Sequence, residues 1–153
     1  MHFCDMQLLN LPTYQFEIKS SENKQLIFDK IRKKYVVLTP EEWVRQNFVE
    51  YLIKEKKYPL SLIAVEKQVT VNKLKKRFDI LVFDKKGNHN IIVECKSPKI
   101  KISQDTFDQI ARYNLTLNAE YLIVTNGISH YYCKLDKKNK KYQFLEDIRT
   151  YGK

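Results

Sequence analysis

The chain has 153 residues, 43% apolar and 12% aromatic, with only three glycines and four prolines. That composition suits one domain with its own hydrophobic core and excludes the disordered and fibrous classes. A formal charge of +10, from 28 basic and 18 acidic residues, favours polyanionic partners, although a solvated lysine-rich surface would give the same balance.

In chain order, residues 14–19 and 25–30 are β-like runs around Ser20-Ser-Glu-Asn23, which is turn chemistry, so an N-terminal hairpin is expected. Residues 31–38 lead into the first helix. Thr39 as N-cap, Pro40 at N1 and Glu42 at N3 mark its start as a capping box. Val44, Phe48, Tyr51, Leu52 and Glu55 recur at helical spacing to about Lys57, and Tyr58-Pro59 closes it. Residues 60–69 are an apolar run of β-formers carrying Glu66, and a basic segment, residues 72–77, connects it to a central hairpin. In that hairpin two apolar runs, residues 77–84 and 91–96, flank a Lys85-Lys-Gly-Asn-His-Asn90 break. Ser97-Pro98 ends it, because proline cannot donate to a ladder.

A second helix is expected at about residues 104–118, with Phe107, Ile110, Ala111, Asn114 and Leu117 inward. A second hairpin follows, with Asn126-Gly127 as its two-residue turn. Residues 134–141 form a charged turn, and residues 142–148 a last strand or short helix. Helix, three strands, helix, two strands gives an α/β fold with a central mixed sheet flanked by helices. Residues 1–38 would be an N-terminal β extension, and residues 39–148 the core of a single domain spanning 1–153.

No run approaches 18 consecutive apolar residues, so no membrane span is expected, and residues 1–10 lack the pattern of a signal peptide. Cys4, Cys95 and Cys133 are odd in number and without Cys-x-x-Cys spacing. They read as reduced thiols of a cytosolic protein, with no disulfide frame and no zinc site. His130-x-x-Cys133 is at most half a metal site. No Gly-x-x-x-x-Gly-Lys-Ser/Thr occurs, so no P-loop nucleotide site is expected on this chain.

Charge interrupts the central hairpin. Asp79 breaks its first run, and Glu94 and Lys96 end its second. Strand side chains alternate, so Glu94 and Lys96 share one face while Ile91, Val93 and Cys95 take the other. Two carboxylates and an ammonium on core-like strands are costly to bury unless they hold something. A divalent metal suits oxygen donors, and magnesium often takes only one or two carboxylates. Without a bulge, Asp79 joins that face in two registers only. A turn at residues 85–88 sets Asp79 opposite Glu94, and one at residues 85–90 sets it opposite Lys96. Either leaves Phe78, Ile80 and Val82 with Ile91, Val93 and Cys95 on the reverse face.

Asp79 followed fifteen residues on by Glu94-x-Lys96 resembles the core of the PD-(D/E)xK nuclease superfamily. Gln109-Ile-Ala-Arg-Tyr113 is similar to the Gln-x-x-x-Tyr element of one large branch of it. With Thr39-Pro-Glu-Glu-Trp-Val-Arg45, Arg77-Phe-Asp79, Glu94-Cys-Lys-Ser-Pro98 and Thr125-Asn-Gly127, the chain resembles still more closely the N-terminal domain of type I restriction enzyme R subunits. The resemblance runs from about Pro40 to Asp147. One departure is Phe78, which stands where the superfamily name has proline, a residue commonly missing there.

The resemblance implies a restriction-endonuclease-like core, αβββαβ, and magnesium-dependent hydrolysis of DNA phosphodiesters, with Mn2+ as a substitute. Asp79, Glu94 and the backbone carbonyl of Cys95 would be the metal ligands. Lys96 would position or activate the attacking water and balance phosphate charge. Glu42 would reach the metal through water, a role that competes with its place in the capping box. Glu50 is a weaker choice on the same helix. Gln109 and Tyr113, one helical turn apart, would border the site. Taken singly, Asp79 and Glu94 are ordinary strand-end carboxylates and Lys96 a solvated lysine.

Lys73, Lys75, Lys76 and Arg77 abut the proposed site on one side and Lys99 and Lys101 on the other. With Tyr113 they would contact DNA and neutralise phosphates without reading sequence, against the alternative of a solvated loop. Arg45 and Arg112 could add phosphate contacts. Implied partners are DNA and other restriction-modification subunits or a separate motor, in the cytoplasm and away from membranes. The alternatives are a catalytically silent DNA- or partner-binding module of the same fold, or a nuclease acting on RNA or on branched or damaged DNA.

Overall fold

Two sheets and two α-helices make up the described part of the chain, residues 7–153 of the computed structural model. Cys4 and the first six residues weighed as a signal peptide lie outside it. The smaller sheet is antiparallel: β1 (Ile18–Ser21), β2 (Lys24–Asp29) and β3 (Lys34–Val37), in that order. Glu22 and Asn23 both take positive φ in the β1–β2 turn, the geometry that suits a two-residue hairpin. β3 lies where the sequence suggested only a lead-in. Asp29 makes the corner before it, accepting hydrogen bonds from the Ile31 and Arg32 amides at 2.8 and 3.1 Å.

α1 (Pro40–Glu50) starts where expected, with Thr39 accepting a hydrogen bond from the Glu42 amide at 3.0 Å and proline in the first turn. It continues as a π-helical turn, Tyr51–Glu55. Val44, Phe48 and Leu52 on its inner side are fully buried.

The larger sheet is mixed. β4 (Ile63–Val71), β5 (Leu74–Phe83), β6 (His89–Cys95), β7 (Tyr121–Thr125), β8 (His130–Asp136) and β9 (Lys141–Leu145) lie in sequence order. Only β6 and β7 pair in parallel; α2 (Gln104–Leu117) makes the crossover. α1 packs on one face, against Ile80, Val82, Ile91, Val93 and Ile123. α2 packs on the other, where Ile110 meets Phe78, Leu81, Ile92 and Leu122. Among the described residues, no helix is long and apolar enough to cross a membrane.

Three local expectations are corrected. Residues 72–77 are not a connector: Asn72 and Lys73 form a tight turn at φ 52° and 69°, and β5 already begins at Leu74. The turn lacks glycine, so its chemistry was hidden. Asn126-Gly127 is part of a four-residue loop, since Thr125 pairs with His130. There the Asn126 side chain accepts from the Ile128 and Ser129 amides at 2.9 and 2.8 Å. Phe78 does not share a face with Ile80 and Val82; it packs beneath α2. Pairing of β4 with β5 lapses between Val65–Ile80 and Lys67–Phe78, where Glu66 turns to φ 52° and the strand re-aims.

The β5–β6 register is the first of the two expected, reached by another route. Asp84–Asn88 is the turn, held by the Asp84 side chain accepting from the Lys86 and Asn88 amides, each at 2.9 Å. Phe83 then pairs with His89, a register that would set Val93 across from Asp79. A bulge follows, so Val82 meets Ile91 and Ile80 meets Val93, and the ladder ends there, one residue short of Asp79 and Glu94.

Candidate active site

Asp79 lies within β5, where its pairing with β4 lapses, beside the C-terminal end of β6. Its carboxylate is buried, with one oxygen accepting from Arg45 Nη2 at 2.9 Å and the other from the Cys95 amide at 2.8 Å. Glu94 extends beside Lys96, whose Nζ is 3.5 Å from its Oε2. Burial first, then the neighbouring Asp79 charge, raise the Glu94 pKa from the ordinary 4.5 to about 7, against the opposing pull of Lys76 and Lys96. Burial and the Asp79 charge also push the Cys95 thiol far up, so it stays neutral.

Lys76 lies 5.3 Å above the ring of Tyr113 and 5.7 Å from that of Phe78, a cation–π arrangement that ties β5 to α2 next to Glu94. Tyr113 therefore borders the site through Lys76. Gln109 is exposed on the same helix. Lys73, Lys75 and Arg77 are exposed along the β4–β5 ribbon, and Lys99 and Lys101 beyond β6. Arg77 is drawn to Glu66 at 3.7 Å. Arg112 is exposed on α2, whereas Arg45 is buried and engaged by carboxylates.

Glu42 is not free to serve the site. Its carboxylate takes both oxygens' bonds from Arg32 at 2.9 and 3.0 Å, one from Gln46 at 3.0 Å, and a further contact from Arg45. The helix start uses its amide, while its side chain belongs to this ionic network. Arg32 is also paired with Asp29, so charges alternate without a break from the end of β2 to Asp79: Asp29, Arg32, Glu42, Arg45, Asp79. Glu50 pairs with Lys30 at 2.6 Å and Lys54 at 3.3 Å, away from Asp79.

The acidic residue of α1 that faces Asp79 is Glu41, which sequence reasoning missed. Its pKa is raised by burial and by Asp79, with Arg45 and Lys96 pulling the other way. Glu66 joins it, 2.6 Å from Arg45 Nη2. A carboxylate inside the apolar run of β4 was the available signal for Glu66. Glu41 carried none, because the N-cap pattern drew the choice to its neighbour.

Among the described residues, no three His, Cys, Asp or Glu side chains are grouped as a metal cage. The donors nonetheless fit a hard divalent cation that keeps most of its waters. Each Asp79 oxygen has accepted one hydrogen bond and retains acceptor capacity. Glu94 holds a proton readily because it is buried and lies near the Asp79 charge.

The sequence model of the type I restriction enzyme R protein N terminus matches residues 40–148. No curated protein matches the chain. A fragment structure of an HsdR subunit of a type I restriction enzyme from Vibrio vulnificus YJ016 is similar in fold, with a TM-score of 0.54 at 20% identity. The likeness covers 72% of this chain but only 23% of that one, so the chain spans less than a quarter of the length it is compared with.

Proposed function

The chain belongs to the family of type I restriction enzyme R protein N termini, which links it to restriction-modification, and from that premise we propose a metal-dependent deoxyribonuclease. On this reading α1, β4 to β7 and α2 are the restriction-endonuclease-like core of a PD-(D/E)xK enzyme, in a single domain that works in the cytoplasm. DNA is its substrate, and other restriction-modification subunits or a separate motor are its partners. One observation carries the proposal: buried Asp79, bonded to the Cys95 amide, lies beside the end of β6, where Glu94 and Lys96 stand 3.5 Å apart.

Asp79 and Glu94, with the Cys95 carbonyl, would hold Mg2+ or Mn2+. When bound, that ion polarises the scissile phosphoryl group and acidifies a water. Arg45 and the Cys95 amide fix the Asp79 carboxylate from two sides, so its orientation is set before substrate arrives. Lys96, beside Glu94, orients the attacking water and neutralises charge that grows on the phosphate. Lys76 stays close enough to Glu94 to favour its ionised form. Lys73, Lys75, Arg77, Lys99 and Lys101 neutralise phosphates on either side, which binds duplex DNA without reading its sequence. Gln109 and Tyr113 line the α2 flank.

A plasmid-nicking assay tests this. Supercoiled DNA should open with Mg2+ or Mn2+ but not with EDTA, and Asp79→Ala, Glu94→Ala or Lys96→Ala should each cost about 100-fold or more in rate. Variants that cut as fast as wild type would refute the assignment. A second reading is favoured by one detail, that both Asp79 oxygens already hold protein donors. A silent DNA-binding module would bind the plasmid in the same assay and leave it, an RNA and a branched DNA uncut.

A further inference from the structure

The α2 face of the large sheet carries aromatic surface that neither the core nor the chemistry above uses. Glu94 pairs with Val124 and Val124 with Tyr131, so these three residues form one row across β6, β7 and β8. Ile92, Val124 and Cys133 are buried on the α2 side, and strand side chains alternate, so Glu94 and Tyr131 belong to that same face. Two strand spacings separate them, about 10 Å. Tyr131 and Phe144 remain 43% and 63% exposed there. With Phe107 and Val124 they line a cleft of about 230 Å³, to which Ser103 and Gln104 add polar groups. The Phe107 and Phe144 rings lie 5.8 Å apart. The cleft is smaller than a drug-sized ligand needs, and it suits one flat ring system.

Charge selects the occupant. Residues 97–102 lead from Lys96 to the cleft and carry Lys99 and Lys101, both exposed. The Asn126 side chain donates to the Ile100 carbonyl at 2.8 Å and fastens this segment to the end of β7. A second copy of a chain with a charge of +10 would set lysines against lysines, whereas a nucleic-acid strand brings phosphates. Every base offers a π face to an aromatic side chain, whatever the sequence. In a paired duplex those faces are stacked on their neighbours, so only an unpaired base can enter. Resting on the nuclease reading for the choice of DNA, we propose that this cleft seats one unpaired base of a DNA strand beside the Glu94–Lys96 end of β6. The substrate class is then DNA with a bulged, flipped or single-stranded base near the phosphate that is attacked.

Fluorescence anisotropy and 2-aminopurine quenching in EDTA test this on the whole chain without turnover. A duplex with one bulged 2-aminopurine should bind more tightly than the paired duplex of the same length, and its fluorescence should fall on binding. Phe144→Ala/Tyr131→Ala should weaken binding of the bulged duplex about 5- to 100-fold and leave the paired one unchanged. Phe144→Trp, which keeps a π face, should retain the quench. Should the double variant fail to fold, Phe144→Ala alone decides, with a smaller loss confined to the bulged duplex. Equal affinity of wild type for the two duplexes, or no loss in these variants, would overturn the proposal. So would tighter binding of a single-stranded RNA than of DNA of the same sequence, or a dimer in sedimentation that Phe144→Ala dissociates. The readout needs neither metal nor Asp79, so a plasmid left uncut refutes the nuclease alone, and absence of the preference for an unpaired base refutes the cleft alone.

Discussion

Glu94 keeps a proton into the neutral range, and this has a sign that can be checked. Its pKa is raised from 4.5 to about 7 in the fold, so the folded chain binds more protons than the unfolded chain between those values. Its contribution to stability is therefore complete below about pH 4.5 and is lost as pH rises through about 7. The shift corresponds to roughly 3 kcal/mol. In EDTA the melting temperature should fall across this window, and Glu94→Gln should flatten the fall. Lys76→Gln should move the midpoint upward, since Lys76 favours the charged form. An identical pH profile for wild type and Glu94→Gln would show that Glu94 is ordinary. At this scale the sequence was legible for Asp79, Glu94 and Lys96, where charge breaks an apolar strand. It was not legible for the α1 carboxylate. Glu41 and Glu42 are adjacent, and which one faces Asp79 depends on how α1 is rotated over the sheet, which no local pattern encodes.

The β4–β5 ribbon is the element that sets Lys73, Lys75 and Arg77 in a row beyond the paired part of β6. Each cation that pairs with a phosphate adds about 0.9 to the slope of log affinity against log salt. Lys73→Gln/Lys75→Gln/Arg77→Gln should therefore lower that slope by roughly two to three, for every duplex sequence alike. An unchanged slope in a fluorescence-anisotropy titration would remove the ribbon from the interface. The ribbon also shows why element limits were harder to read than element types. Thr39-Pro40 announces α1 through cap chemistry, whereas Asn72-Lys73 turns at positive φ with no glycine to mark it. The bulge after His89 is equally silent in sequence, yet without it Ile80 would fall opposite Ile92 instead of Val93.

Across the whole molecule, the N-terminal segment is fastened at several places, and two of them bear on the site and its sheet. Its charges reach Asp79 through Arg32, Glu42 and Arg45. Its backbone meets the β7–β8 loop, where the Asn10 amide donates to Gly127 at 2.8 Å. Gly127 takes φ 87°, and a Cβ there would stand 2.7 Å from Leu9 Cδ2. Gly127→Ala should destabilise the chain by about 1–3 kcal/mol in urea unfolding, and no loss would mean that this fastening is weak.

The single parallel pairing has a consequence in time. Strands β4, β5 and β6 are joined by short turns and can zip up locally, but β6 gains its second neighbour only after the 104–117 helix has been traversed. The Lys96 amide is fixed by the Thr125 carbonyl at 2.8 Å, so the end of β6 is tied down late, as loop-closure entropy requires. In pulse-labelled hydrogen exchange during refolding, Lys96 should gain protection together with β7 and after the β4–β5 amides. A nascent chain would then carry Glu94 and Lys96 out of the ribosome well before β7 fixes the end of β6, and protection of Lys96 ahead of β7 would disprove that delay.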